Sequence, residues 1–216
     1  MLFRDRAEAG AFLARELLDA LPSLRSEAVT VLAIPRGGVA VAAPIAALLH
    51  APLDVFVARK LGAPNQEELG IGAVAADGTR VLDDTLVRVL RVSDSYIEKV
   101  TKRELAEAKR RLALFRGARA PAPVSGRSVI LVDDGLATGG TARAALAVLR
   151  AEQPARLIFA APVASMDGAE SLTALGVATV FAAIPKHFHG VGEWYEEFEQ
   201  VSDETVLALL AEAAGR

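Results

Sequence analysis

The sequence predicts an α/β fold: a parallel sheet of about five strands with helices on both faces, carrying a hairpin insertion and a C-terminal hood. Three observations predict it. Short apolar, β-branched runs alternate with stretches of helical periodicity, the pattern of buried parallel strands joined by crossover helices. Two of those runs, Val29 to Pro35 and Ser128 to Val132, lead at once into glycine-rich loops and then into helices. The 216 residues are 52% hydrophobic and 24% charged with no cysteine. A chain of that length buries roughly 70% of its unfolded surface and needs no disulfide scaffold.

Each element has its own signal. Ala7 to Leu21 repeats apolar residues at helical spacing behind Asp5 as a cap, and Pro22 ends it. Val29 to Pro35 reads as a strand, Arg36-Gly37-Gly38 as a tight loop, and the Ala-rich stretch to His50 as a helix. Pro44 places the start of that helix near Ala40 or Val41, because proline is tolerated in a first turn. Leu53 to Ala58 is a second buried strand. A polar loop, Ala63 to Leu69, then leads into two apolar runs around Asp77-Gly78, a hairpin signal. Ser93 to Arg116 is a long amphipathic helix with a Ser95-x-x-Glu98 capping box and an apolar stripe at Ile97, Val100, Ala108, Leu112 and Phe115. After the Pro121-Ala122-Pro123 linker come the strand Ser128 to Val132, a loop to Gly140 and a helix from Thr141 to Arg150. Leu157 to Pro162 and Val177 to Ile184 supply two more strands with a helix between them, and Glu204 to Ala213 is the last helix. The expected organisation is one domain over residues 1–216, with its core at about 29–184, a lid insertion at about 62–92 and the hood at about 185–216.

Charge and hydropathy exclude several classes. With 24 Lys+Arg against 27 Asp+Glu the formal net charge is −3, which argues against a general nucleic-acid coat protein. The longest apolar run, Val39 to Leu49, is interrupted by Pro44 and falls short of a membrane span. The N-terminus lacks the continuous apolar region of a signal peptide, so a cytoplasmic location is expected. A P-loop motif is missing, and Gly70-Ile71-Gly72 does not precede a helix as a dinucleotide fingerprint requires. His187-x-His189 has no further ligand at useful spacing and reads as incidental.

The chemistry concentrates in Val129 to Thr141. A buried strand delivers Asp133 and Asp134 to its C-terminal end, and Gly135-Leu136-Ala137-Thr138-Gly139-Gly140-Thr141 then opens a helix. Glycines let the backbone approach an anion, helix-start amides point at it, and Thr138 and Thr141 add hydroxyl donors. Carboxylates so near a phosphate repel it unless a cation or a polyhydroxyl group lies between, which makes a sugar phosphate, with Mg²⁺, the economical ligand. Pro35-Arg36-Gly37-Gly38 is a second loop between a strand and a helix start, with a cation built in; alone it also reads as a plain αL turn, and paired with the first loop it reads as a second anion-binding helix start.

The run Asp133 to Thr141 resembles the signature loop of type I phosphoribosyltransferases, which bind 5-phosphoribosyl 1-pyrophosphate (PRPP). The resemblance spans roughly Val29 to Ile184 and implies that family's fold. It further implies that Asp133 and Asp134 hold the ribose hydroxyls, that Ala137, Thr138, Gly139, Gly140 and Thr141 wrap the 5′-phosphate, and that Arg36, Gly37 and Gly38 form the pyrophosphate loop, where a cis peptide is often found. Asp-Asp-Gly-Leu-Ala-Thr-Gly-Gly-Thr is most similar to the adenine enzymes, and Arg59-Lys60-Leu61-Gly62-Ala63-Pro64 resembles the opening of their mobile loop. The whole chain, including Gly192 to Phe198, looks like an uncharacterised bacterial group of the family. Ala137 departs from the hypoxanthine-guanine enzymes, which place a carboxylate there as general base.

The reaction so implied is displacement of pyrophosphate by a nucleobase-like acceptor, purine favoured, with Arg36, Lys60 and Asp134 in catalytic roles and Asp133 as the Mg²⁺ ligand. Lys60 also reads as a solvated strand-end lysine. Phe188, Trp194 and Tyr195 either offer a face to a flat base or only pin the last helix. A homodimer is the family's expectation. Between Glu98 and Arg119 eight basic residues face three acidic ones, a local excess read as a solvated helix face, as attraction for a polyanionic substrate, or as RNA contact. The other functional class left open is a PRPP-sensing module without catalysis.

Overall fold

The structure, a computed structural model, describes residues 2–215 apart from the Glu68 side chain. Its centre is a five-stranded parallel sheet of order β2-β1-β6-β7-β8, made by β1 (Val29–Ala33), β2 (Leu53–Val55), β6 (Ser128–Val132), β7 (Arg156–Val163) and β8 (Ala178–Ala183). Every residue of β1 and β6 is buried, as expected of strands covered on both faces. Side chains alternate. Val29, Val31 and Ala33 pack with α1 (Arg6–Ala20), α2 (Gly37–Leu49) and α7 (Asp203–Ala214) on one face. Leu32, Leu131 and Phe159 pack with α5 (Gly140–Ala151) and α6 (Met166–Thr173) on the other.

A second, antiparallel sheet of order β3-β4-β5 is built from β3 (Ala58–Ala63), β4 (Gln66–Ala75) and β5 (Arg80–Leu82). It is followed by α3 (Asp84–Val89) and α4 (Asp94–Arg116). Ala58, Ala73 and Ala75 join the core that holds α5, whereas Leu61, Ile71 and Val74 pack with Ile97 and Val100 of α4. The small sheet therefore lies between α5 and α4.

Four expectations are corrected. Leu53 to Ala58 is not one strand. Phe56 N still donates to Ala33 O at 2.9 Å, but Ala76 N donates to Val57 O at 3.2 Å, so the chain changes sheets there. The stretch Ala63 to Leu69 is not a loop: only Pro64 and Asn65 turn, with Asn65 at φ 60°, and Ala63 pairs with Gln66. α2 starts at Gly37, leaving Pro44 inside the helix. Ala40 and Pro44 are both partly exposed, so water can reach the carbonyl that lacks a donor. The cap of α4 is Ser93, which accepts from Tyr96 N at 3.3 Å, while Glu98 accepts from Arg80 Nη1 at 2.8 Å instead of closing a capping box. α3 is an addition to the expected elements, capped by Asp83, which accepts from Leu86 N at 2.9 Å.

The Asp77-Gly78 hairpin and the Asp5 cap, which accepts from Glu8 N at 2.8 Å, form as expected. The described residues contain no helix long and apolar enough to cross a membrane.

Candidate active site

The chain leaves β1 toward β2 on one side and leaves β6 toward β7 and β8 on the other, so strand order reverses between β1 and β6. Open α/β sheets take their ligands outside the carboxyl ends of the strands at such a point. Ala33 pairs with Val132, and Ile34 N donates to Val132 O at 2.9 Å, which brings the loops after β1 and β6 out side by side.

The two loops touch. A Cβ on Gly37 would lie 1.9 Å from Asp134 Oδ2, and one on Gly38 would lie 2.7 Å from Val132 O, so this approach requires glycine. The Pro35–Arg36 peptide bond is cis, at the place the resemblance indicates. Asp134 N donates to Asp133 Oδ1 at 2.9 Å. Burial, and then the charge of Asp134, push the Asp133 carboxyl well above the usual carboxylate range.

Asp134 is held from three sides. Arg6 Nε of α1 donates to its Oδ2 at 2.7 Å while Arg6 Nη1 donates to Glu199 O at 2.9 Å. The Tyr195 hydroxyl donates to its backbone carbonyl at 2.6 Å, and burial together with the Asp134 charge raises the phenol's pKa. Gly37 packs against its carboxylate.

The Gly135–Gly140 loop is anchored from β7. Leu136 N donates to Val163 O at 2.8 Å, and Ser165 Oγ donates to Ala137 O at 2.6 Å. Gly139 takes φ 75° to start α5, which has no side-chain cap. Its first amides are therefore without a competing acceptor side chain, the condition in which a helix start takes an anion. Thr138 and Thr141 are exposed.

A cavity of about 560 Å³ brings together Arg36, Gly37, Lys60, Asp133, Asp134 and Thr141 from separate segments of the chain. Gly38 is buried beneath it. Thr138 and Gly140 line a neighbouring cavity of about 690 Å³, between α5 and the small sheet, which Lys60 shares. Phe188, Trp194 and Tyr195 line neither. Tyr195 is 5% exposed, stacked on Phe198 with ring centroids 5.0 Å apart, and packed with Phe3 and Trp194. These contacts tie the C-terminal segment to α1, and Val191 of the same segment sits where a Gly135 side chain would be.

Arg59, which the sequence offers only within the Arg59-Lys60 run, and Arg103, Glu104 and Arg111, which it offers only within the basic stretch of α4, also line the cavity. Glu104 is 6% exposed and paired with Arg59 at 2.9 Å and Arg103 at 2.8 Å. Its signal was available, since it stands between Val100 and Ala108 in the buried register of α4. Arg6 had none, lying 128 positions from its partner. The described residues hold no cluster of three or more His, Cys, Asp or Glu suited to a metal, and His187 and His189 are exposed.

Comparison with known proteins gives concordant findings. A family model described as Phosphoribosyl transferase domain matches residues 4–194. Two Mycobacterium tuberculosis proteins, from strains CDC 1551 and H37Rv, each carry the name "Putative phosphoribosyl transferase" and are 42% identical over 212 residues. That alignment covers 98% of this chain and 47% of each relative, so the chain spans about half the length of the curated relatives it matches. The crystal structure of TT1426 from Thermus thermophilus superposes with a TM-score of 0.90 at 42% identity, covering 98% of this chain and 99% of that one.

Proposed function

The chain belongs to the phosphoribosyltransferase family, and from that premise we propose that it transfers a 5-phosphoribosyl group from PRPP to a nucleobase-like acceptor, a purine by preference, releasing pyrophosphate. The observation that carries the proposal is the meeting of the Arg36 loop, the Asp133-Asp134 pair and the start of α5 around one cavity. The proposal includes the organisation read from the sequence, one unit with a lid insertion at about 62–92 and a hood at about 185–216. The family resemblance adds a homodimer, and the N-terminal sequence a cytoplasmic location.

In this reading the amides of Gly139, Gly140 and Thr141, with the hydroxyls of Thr138 and Thr141, take the 5′-phosphate. Asp133 and Asp134 accept from the ribose hydroxyls, and the Arg6 contact fixes the Asp134 carboxylate for that task. Displacement at the anomeric carbon passes through an oxocarbenium-like state that needs positioning and electrostatics more than covalent help. Arg36 and Lys60 receive the charge that builds on the leaving group, and the hairpin keeps water from the reactive carbon. The donor set suits Mg²⁺, which binds through one or two carboxylates completed by substrate oxygens and water; Asp133 would hold it, with Asp134 beside it. When bound, the ion supplies neutralisation of pyrophosphate charge. Ala137 leaves the acceptor's proton to a group other than a carboxylate at that position.

The test is pyrophosphate release from PRPP and Mg²⁺ over a panel of purine and pyrimidine bases, each against a control without base. Release with one base identifies the acceptor. PRPP binding without release from any base assigns the chain instead as a PRPP sensor, and absence of PRPP binding removes both readings.

A further inference from the structure

The fold uses only part of the basic excess between Glu98 and Arg119: Arg116 pairs with Asp54 at 2.7 Å and Arg119 donates to Phe115 O and Leu210 O. α4 buries one face, through Ile97, Val100, Glu104, Ala108 and Phe115, and leaves Arg103, Arg110 and Arg111 outside that seam. Glu104 is the anomaly in the seam, because a buried carboxylate is costly unless it is paired and hydrogen-bonded. Its Oε2 accepts from Arg59 Nε at 2.9 Å and its Oε1 from Arg103 Nε at 2.8 Å. One turn further along, Glu107 Oε1 accepts from Arg111 Nε at 2.8 Å. In Arg103 and Arg111 these contacts run through Nε, so the terminal nitrogens are held in place and left available to another acceptor. Both residues line the cavity that contains Arg36, Lys60 and Asp134.

We propose that α4 forms a second wall of the leaving-group pocket, in which Arg103 and Arg111 contact the pyrophosphate directly while Glu104 positions Arg59 and Arg103. The inference rests on the phosphoribosyl reading above and adds residues that its motifs do not reach, since those motifs lie in the loops after β1 and β6 and at Arg59–Lys60. Pyrophosphate is a dense polyanion, and planar guanidinium forks match its oxygens in pairs. Tethering by Glu104 and Glu107 lowers the ordering cost that free arginine side chains would carry into the complex.

The experiment measures, by titration calorimetry with Mg²⁺ present, the binding of inorganic pyrophosphate and separately of ribose 5-phosphate. The proteins are wild type, Arg103→Ala, Arg111→Ala, Glu104→Gln and Glu104→Asp. The expected result is about tenfold weaker pyrophosphate binding in each arginine variant, with ribose 5-phosphate affinity unchanged. Glu104→Gln weakens pyrophosphate alone, and Glu104→Asp restores part of the loss. Unchanged pyrophosphate affinity in Arg103→Ala and Arg111→Ala overturns the inference and leaves these arginines as solvated ion pairs. Equal loss of both ligands also overturns it, because a structural defect would not discriminate between them. Wild-type protein that binds neither ligand overturns the phosphoribosyl reading itself, a result distinct from either of those.

Discussion

Arg6 Nε meets Asp134 Oδ2 at 2.7 Å, with the side chains 10% and 19% exposed, so the first helix of the chain reaches the acidic pair at the end of β6. Removing one partner of such a pair leaves an uncompensated charge. Arg6→Ala is expected to cost about 3 kcal/mol in urea unfolding, with part of that loss recovered when Asp134→Asn is added. An additive double mutant would separate the two residues.

Asp134→Asn by itself keeps the shape of the site and removes the charge. Base-dependent pyrophosphate release is expected to fall about 10²-fold, in the range found when one preorganised polar group is lost. Full activity in this variant would take Asp134 out of the site.

Gly37→Ala tests the contact between the two loops. The new Cβ would fall 1.9 Å from Asp134 Oδ2, so either the loop or the carboxylate must move. Turnover is expected to drop at least about tenfold with the circular dichroism spectrum unchanged, since a displacement of about 1 Å can cost 10²-fold.

Asp54 and Arg116 form another enclosed ion pair, at 2.7 Å, and Asp54 also accepts from Val55 N at 2.8 Å and Ala122 N at 3.1 Å. Arg116→Ala strands Asp54, which is 3% exposed, and is expected to destabilise the fold by about 3–5 kcal/mol in chemical unfolding. Replacing both residues by apolar ones is expected to cost less.

Glu152 gives a pH signature. Burial, and then the charge of Asp77, raise its pKa above the ordinary 4.5. The folded state therefore holds the proton to a higher pH than the unfolded state does, and stability falls as pH rises from about 4.5 through the raised value. Glu152→Gln is expected to raise the melting temperature by about 2 °C at pH 7 and to leave it unchanged at about pH 4.

Much of this architecture was legible because its signals are local. Val29 to Pro35 and Ser128 to Val132 are mostly apolar, since both faces of their sheet are covered, and each is followed by glycines that mark a loop, although the contacts that require Gly37, Gly38 and Gly135 come from distant segments. What escaped was set by contacts between distant segments. The stretch Ala63 to Leu69 is the tip of the β3–β4 hairpin, beyond the residues of β4 that pair with β5, and its polarity alone reads as a loop. Proline at position 44 marked a helix start on local grounds, yet the loop geometry at Gly37 decided where α2 begins. The cations of α4 were visible as a charge excess, but only the packing of Glu104 against Arg59 showed which of them face the cavity.

The pairing of β1 with β6 has a kinetic meaning. Val29 registers with Ser128 and Ala33 with Val132, although β2, the whole small sheet and α4 lie between the two strands along the chain. Such non-local pairing carries a loop-closure cost and is expected to complete late in folding. On the proposed function a half-folded chain has no place for a phosphorylated sugar, and such a ligand is expected to stabilise the protein as a whole. In hydrogen exchange, protection conferred by PRPP is expected to extend through the central strands, well beyond the amides that touch it.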